Sequence, residues 1–109
     1  MINGLSEVTN PVSGGVVYYH IGKYQNSIAA YRQCLKLNPN DAEAWNNLGA
    51  MYGMTGNHRE AIAAFETATR LKPDRAESWN GLAVAYAANG DREKAAEASK
   101  KLQALSSKR

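Results

Sequence analysis

Cysteine is almost missing from this chain. The single one, Cys34, rules out an internal disulfide and any cysteine-rich metal site. Histidine is nearly as scarce. His20 and His58 stand far apart, and no group of His, Cys, Asp or Glu has metal-ligand spacing. No apolar run approaches the length of a membrane span. Met1-Ile2-Asn3-Gly4 lacks the basic start and apolar core of a secretory leader. The chain as given therefore reads as soluble, with cytoplasm the expected compartment and no membrane partner. Strand-like runs are lacking too, so the pair Gly14-Gly15 has no strand before it and is not a phosphate loop. Charge of one sign is in short supply: thirteen basic residues against ten acidic leave a net +3. The basic cluster Lys100, Lys101, Lys108 and Arg109 reads as a solvated helix end that suits the macrodipole, not as a nucleic-acid patch. With nothing to converge as nucleophile, base or metal, the chain is expected to be no enzyme and to hold no cofactor.

What is present is periodicity. In the middle third the large apolar residues fall as Trp45, Leu48 and Tyr52, then Ala61, Ile62, Phe65, Ala68 and Leu71. Steps of three and four place each run along one helix face. Thr55-Gly56-Asn57 between them leaves room only for a turn, so the segment is a helical hairpin. Shifted by 34 residues, Trp45 meets Trp79, Leu48 meets Leu82, Tyr52 meets Tyr86 and Gly56 meets Gly90. Shifted the other way, Gly56 meets Gly22, Phe65 meets Tyr31, Leu71 meets Leu37 and Pro73 meets Pro39. A period of this length signals a stacked helical array. Trp45, Leu48, Gly49, Tyr52, Ala61, Phe65, Ala68 and Pro73 together resemble the signature of the tetratricopeptide (TPR) repeat. The resemblance implies an all-α, right-handed superhelix of antiparallel helix pairs, with six helices in three units.

The expected layout is one TPR domain over residues 1–109. Residues 1–7 form a polar lead, 8–41 a degenerate first repeat, 42–75 the second repeat, and 76–109 a third whose last helix caps the array. A first helix from about Pro11 to Ile21 is expected to stop at Gly22, where glycine takes a positive φ cheaply. Val8, Pro11 and Gly14 occupy the places of Ala42, Trp45 and Leu48, so this helix has lost its anchors and should be the weakest element. The spacings Asn40–Glu43, Asn57–Glu60 and Asp74–Glu77 suggest reciprocal capping boxes at three helix starts. Cys34 matches Ala68 and should be a packed core thiol. In the last helix Ser99 replaces the bulky Phe65 and Tyr31, and Ser107 replaces the prolines, which suits a polar end cap.

The resemblance also implies a function: holding a protein or peptide in the concave groove lined by the first helix of each pair. The residues left to face that groove are Glu43, Asn46, Asn47, Ala50 and Met54, then Glu77, Asn80, Gly81, Val84 and Ala88, with Val16, Tyr19 and His20 at the matching places of the first unit. Asparagine side chains both donate and accept hydrogen bonds, which suits a peptide backbone. A solvated helix face is the competing reading for Asn46, Asn47 and Asn80. Some relatives grip a chaperone's C-terminal carboxylate with a clamp of lysines, asparagines and an arginine. Asn47 holds one place of that pattern, but Val12, Val16, Glu77 and Gly81 hold the others, so such a tail is not expected to bind. Two alternatives stand beside the scaffold. One is a regulatory or targeting arm of a larger enzyme or assembly machine. The other is homo-oligomerisation through the N-terminal hairpin, driven by poorly covered Ile28, Tyr31 and Leu35.

Overall fold

The computed structural model describes the backbone of residues 13–107 and the side chains of residues 22–107. Its described residues form five α-helices and no strand: α1 (Ser13–Leu37), α2 (Ala42–Met54), α3 (His58–Leu71), α4 (Ala76–Ala88) and α5 (Arg92–Ser106). Each helix packs on the next, and α2 also lies beside α4. None of them is long and apolar enough to cross a membrane.

Two hairpins, α2–α3 and α4–α5, are closed by one device. Gly56 and Gly90 take φ of 81° and 87°, a conformation that only glycine adopts without strain. The following amides reach back to the same carbonyl position, Asn57 to Tyr52 and Asp91 to Tyr86, each at 2.9 Å. Gly56 bonds Gly53 at 3.2 Å and Gly90 bonds Ala87 at 3.1 Å, completing a Schellman pair at each helix end. The joints between hairpins use proline. Trp45 and Trp79 each donate an indole N–H to the carbonyl of Pro39 or Pro73 at 2.8 Å, so each tryptophan clasps the turn that leads into its own helix. Both rings are half-buried, less enclosed than pure core packing would make them.

The core is made of small residues around a few large ones. Ala61, Ala64 and Ala68 are at most 1% exposed, which lets neighbouring helices approach closely. Phe65 lies in the gap. A Cβ placed on Gly49 would sit 3.0 Å from its ring, and one on Gly81 would sit 2.4 Å away. The ring of α3 is thus held between α2 of its own hairpin and α4 of the next.

The N-terminal element differs from expectation. The helix does not stop at Gly22; it runs unbroken from Ser13 to Leu37, so the described residues form five helices, and the expected separate pair on either side of Gly22 is one helix. Glycine permits a reversal but does not force one, and its cost inside a helix is only about 1 kcal/mol. At Gly56 and Gly90 the reversal is rewarded by apolar anchors on both sides of the turn. The residues before Gly22 carry no such anchors in the places of Trp45 and Leu48. Continuing the helix then satisfies more backbone groups than folding back. Residues 1–12, including the expected lead and the helix start at Asn10-Pro11, lie outside the described residues.

Two consequences follow for side chains. Cys34 is exposed, not a core thiol, because the residues before Gly22 continue α1 and do not fold back over its face, and no other described residue covers it. Ile28 and Leu35, on whose exposure the expectation of self-association partly rests, are 5% and 6% exposed beneath α2, while Tyr31 is half-buried. The helix starts also differ from the expected boxes. Asp41, not Asn40, caps α2, its Oδ1 accepting from the amide of Ala44 at 3.1 Å. Arg75, not Asp74, stands at the cap of α4 and makes no side-chain cap bond. Asn57 does stand at the cap of α3, but its amide donates to the Thr55 hydroxyl at 3.1 Å and does not bond the helix. In both proline turns the helix begins one residue later than the Asn/Asp-to-Glu spacing suggests.

Candidate functional site

Successive residues of a helix are rotated by about 100°. On α2 this places Trp45, Leu48 and Tyr52 on one flank and Glu43, Asn46, Asn47, Ala50 and Met54 on the other. On α4 the same division separates Trp79, Leu82 and Tyr86 from Glu77, Asn80, Val84 and Ala88. α2 and α4 lie side by side, and the second flanks are those the sequence reading assigns to a groove.

The expected groove residues are not equivalent within it. Glu43, Met54, Glu77, Asn80, Val84 and Ala88 are exposed; Asn46, Asn47, Ala50 and Gly81 are half-buried. Met54 and Val84 are 59% and 62% exposed, unusual values for large apolar side chains. Asn46 is already engaged: its Oδ1 accepts from the hydroxyl of Ser78 at 2.9 Å, joining α2 to α4. Ser78 is 0% exposed and drew no attention in the sequence, where it merely stands in place of the small Ala44. Gly81 backs onto the Phe65 ring and serves the stacking of hairpins. Tyr19, His20 and Val16 lie outside the residues whose side chains are described, as does Val12. Glu43 and Glu77 sit in the first turns of α2 and α4, where a helix N-terminus favours a carboxylate. Arg75 approaches Glu77 at 3.7 Å.

The tryptophan flank carries two open hollows that the sequence reading does not anticipate. One, of about 530 Å3, is walled by Leu35, Trp45, Leu48, Tyr52 and Ala64 with Arg32 and Lys36 at its edge. The other, of about 510 Å3, has Trp79, Leu82, Tyr86 and Ala98 as its apolar wall. Read as sealed core, the Trp, Leu and Tyr positions hide this feature; the signal for it is the smallness of Ala64 and Ala98 on the facing helices. Tyr86 donates its hydroxyl to the carboxylate of Glu66 on the previous hairpin. Burial first, and then the Glu66 carboxylate, push its pKa far above the ordinary 10.0. Among the described residues no group of three or more His, Cys, Asp or Glu side chains is placed to hold a metal ion.

The family model described as the cytochrome c-type biogenesis protein H TPR domain matches residues 19–109. A crystal structure of MamA is 30% identical, with a TM-score of 0.76, over 83% of this chain and 53% of its own. MamA residues 41 to the end from Desulfovibrio magneticus RS-1 match at 23% identity and a TM-score of 0.77, over 84% of this chain and 51% of that one. A chain of the CopN-Scc3 complex matches at 22% identity and a TM-score of 0.74, over 93% and 58%. The last two show likeness of fold alone. The chain spans about half the length of the solved structures it matches. No curated protein matches it.

Proposed function

This chain belongs to the TPR-domain family of cytochrome c-type biogenesis protein H, and on that premise we propose that it holds a partner protein on the outward flanks of α2 and α4. Tetratricopeptide domains are protein-interaction modules, and the fold is that of such a module. The observation that carries the finer reading is the pair Met54 and Val84. Two large apolar side chains, more than half exposed, belong by helix geometry to the outward flanks of α2 and α4, which also carry Glu43, Asn47, Glu77 and Asn80. An apolar patch with a polar rim is what a partner covers. The two glutamates favour a segment that brings amides or a basic side chain, and they disfavour a free C-terminal carboxylate.

The family description and the partial span of the solved structures favour one setting: a non-catalytic arm of a larger assembly machine, with cytochrome c biogenesis the process in which to look. The test is affinity capture with wild type beside Met54→Asp/Val84→Asp and Asn47→Ala/Asn80→Ala, followed by titration of each recovered partner. Partners lost with both altered surfaces, at unchanged helicity, support the reading. Identical recovery with all three proteins overturns it.

A further inference from the structure

The lysines of α5 have a place that a solvated helix end does not explain. Lys100 and Lys101 stand in the middle of α5, and both line the hollow beside Trp79, as does Lys94. The Lys101 ammonium lies 5.8 Å from the centre of the Trp79 ring, and the Lys94 ammonium 5.8 Å from that of Tyr86. Ammonium groups over aromatic faces are held weakly when exposed and exchange readily for a carboxylate. Among the described residues no ion pair joins Lys94, Lys100 or Lys101 to a carboxylate. Glu97 is the one acidic residue on the wall.

The preceding hairpin supplies an internal comparison. Its hollow keeps the same apolar floor, Trp45, Leu48 and Tyr52 in place of Trp79, Leu82 and Tyr86. On α3 the positions of Lys94, Lys100 and Lys101 are taken by Glu60, Glu66 and Thr67; of these only Glu60 lines the hollow, whose cations, Arg32 and Lys36, come from α1. The floor is thus repeated, while three lysines from the second helix of the pair line the hollow only at the α4–α5 hairpin. A hollow of this volume falls within the roughly 300–1,000 Å3 of small-ligand and side-chain pockets. Its chemistry is an aromatic and aliphatic floor under three lysines and one glutamate, a net positive rim.

We infer that the hollow between α4 and α5 is a second docking site, for an acidic peptide segment whose apolar side chains enter it while its carboxylates meet Lys94, Lys100 and Lys101. It lies on the flank opposite Met54 and Val84, so two segments of opposite charge can be held at once. Neither site depends on the other.

The test uses the full chain and three soluble helix-forming peptides: one of Glu, Leu and Ala, one with Gln for Glu, and one with Lys for Glu. Binding is read by calorimetry and by the emission of Trp79 in a Trp45→Phe variant of unchanged helicity. The Glu peptide is expected to bind saturably, about tenfold or more tighter than the Gln peptide, and the Lys peptide not at all. Added salt weakens it. Lys94→Glu/Lys101→Glu, both exposed positions that leave the fold intact, removes binding, and Val84→Asp does not. Equal affinity for the Glu and Gln peptides overturns the inference, as does unchanged affinity in the lysine variant or loss only with Val84→Asp. Failure of all peptides to bind, with a sedimentation mass that rises with concentration and falls in the lysine variant, also overturns it: the occupant is then a second copy of the chain.

Discussion

Two side chains tie the hairpins together, and each has a measurable weight. Phe65 is gripped on one side by Gly49 and on the other by Gly81, so its ring has nowhere to move. Gly81→Ala is expected to destabilise by about 1–3 kcal/mol through overpacking, despite alanine's better helix propensity. Gly49→Ala, whose Cβ would meet the ring at 3.0 Å, should stay within about 1 kcal/mol of wild type, because the gain in propensity offsets the squeeze. Urea midpoints of the two variants separate these outcomes. Gly49 was legible as part of the repeat signature. Gly81 was not: it aligns with Asn47, and the close approach that demands it comes from the neighbouring hairpin. Tyr86 is the second tie. Removing its hydroxyl in Tyr86→Phe should cost about 1.5 kcal/mol, the low end for a bond to a charged group, since Glu66 is exposed. Its raised pKa also sets a sign. Above the ordinary 10.0 an unfolded tyrosine loses its proton while the folded Tyr86 keeps it, so the native state binds more protons and raising the pH lowers its stability. The wild-type melting temperature should therefore fall more between about pH 9 and about pH 11 than that of Tyr86→Phe.

At the level of elements, glycine alone does not make a turn. Gly22, Gly56 and Gly90 occupy one register, yet two reverse the chain and one lies inside a helix. Gly56→Ala and Gly90→Ala are each expected to cost about 1 kcal/mol or more, since alanine at positive φ is strained. Gly22→Ala should raise helix content and stability by up to about 1 kcal/mol. Circular dichroism and thermal melts check all three. The same architecture leaves Cys34 open, so a maleimide should label it in the native chain nearly as fast as in denaturant. Marked protection would show that another segment covers α1. Four of the helices were legible from steps of three and four in their apolar residues. The continuity of α1 was not, because periodicity reports which face is apolar and says nothing of whether a partner rewards folding back. Caps were legible only to within a residue. Asp41→Ala should cost about 1 kcal/mol in a urea melt, and Asn40→Ala very little.

For the whole molecule, the 34-residue period carried the stacking order and the side-by-side placement of α2 and α4. The candidate groove was readable as a direction, because spacing fixes which way a side chain leaves its helix. Its chemistry was only partly readable: Asn46 is spent on Ser78 and Gly81 on Phe65, and both contacts cross between repeats. The opposite flank escaped because hollows depend on how far apart helices settle, which no single helix records. The clasp of each tryptophan on the proline carbonyl six residues before it has a mechanical corollary. At both proline joints it ties the entering helix to the turn before it, so the angle between neighbouring modules is restrained locally and in duplicate. Replacing Trp79 by Phe would leave the layers glued yet free the joint to swivel, and small-angle scattering would register a broader spread of shapes at almost unaltered melting temperature.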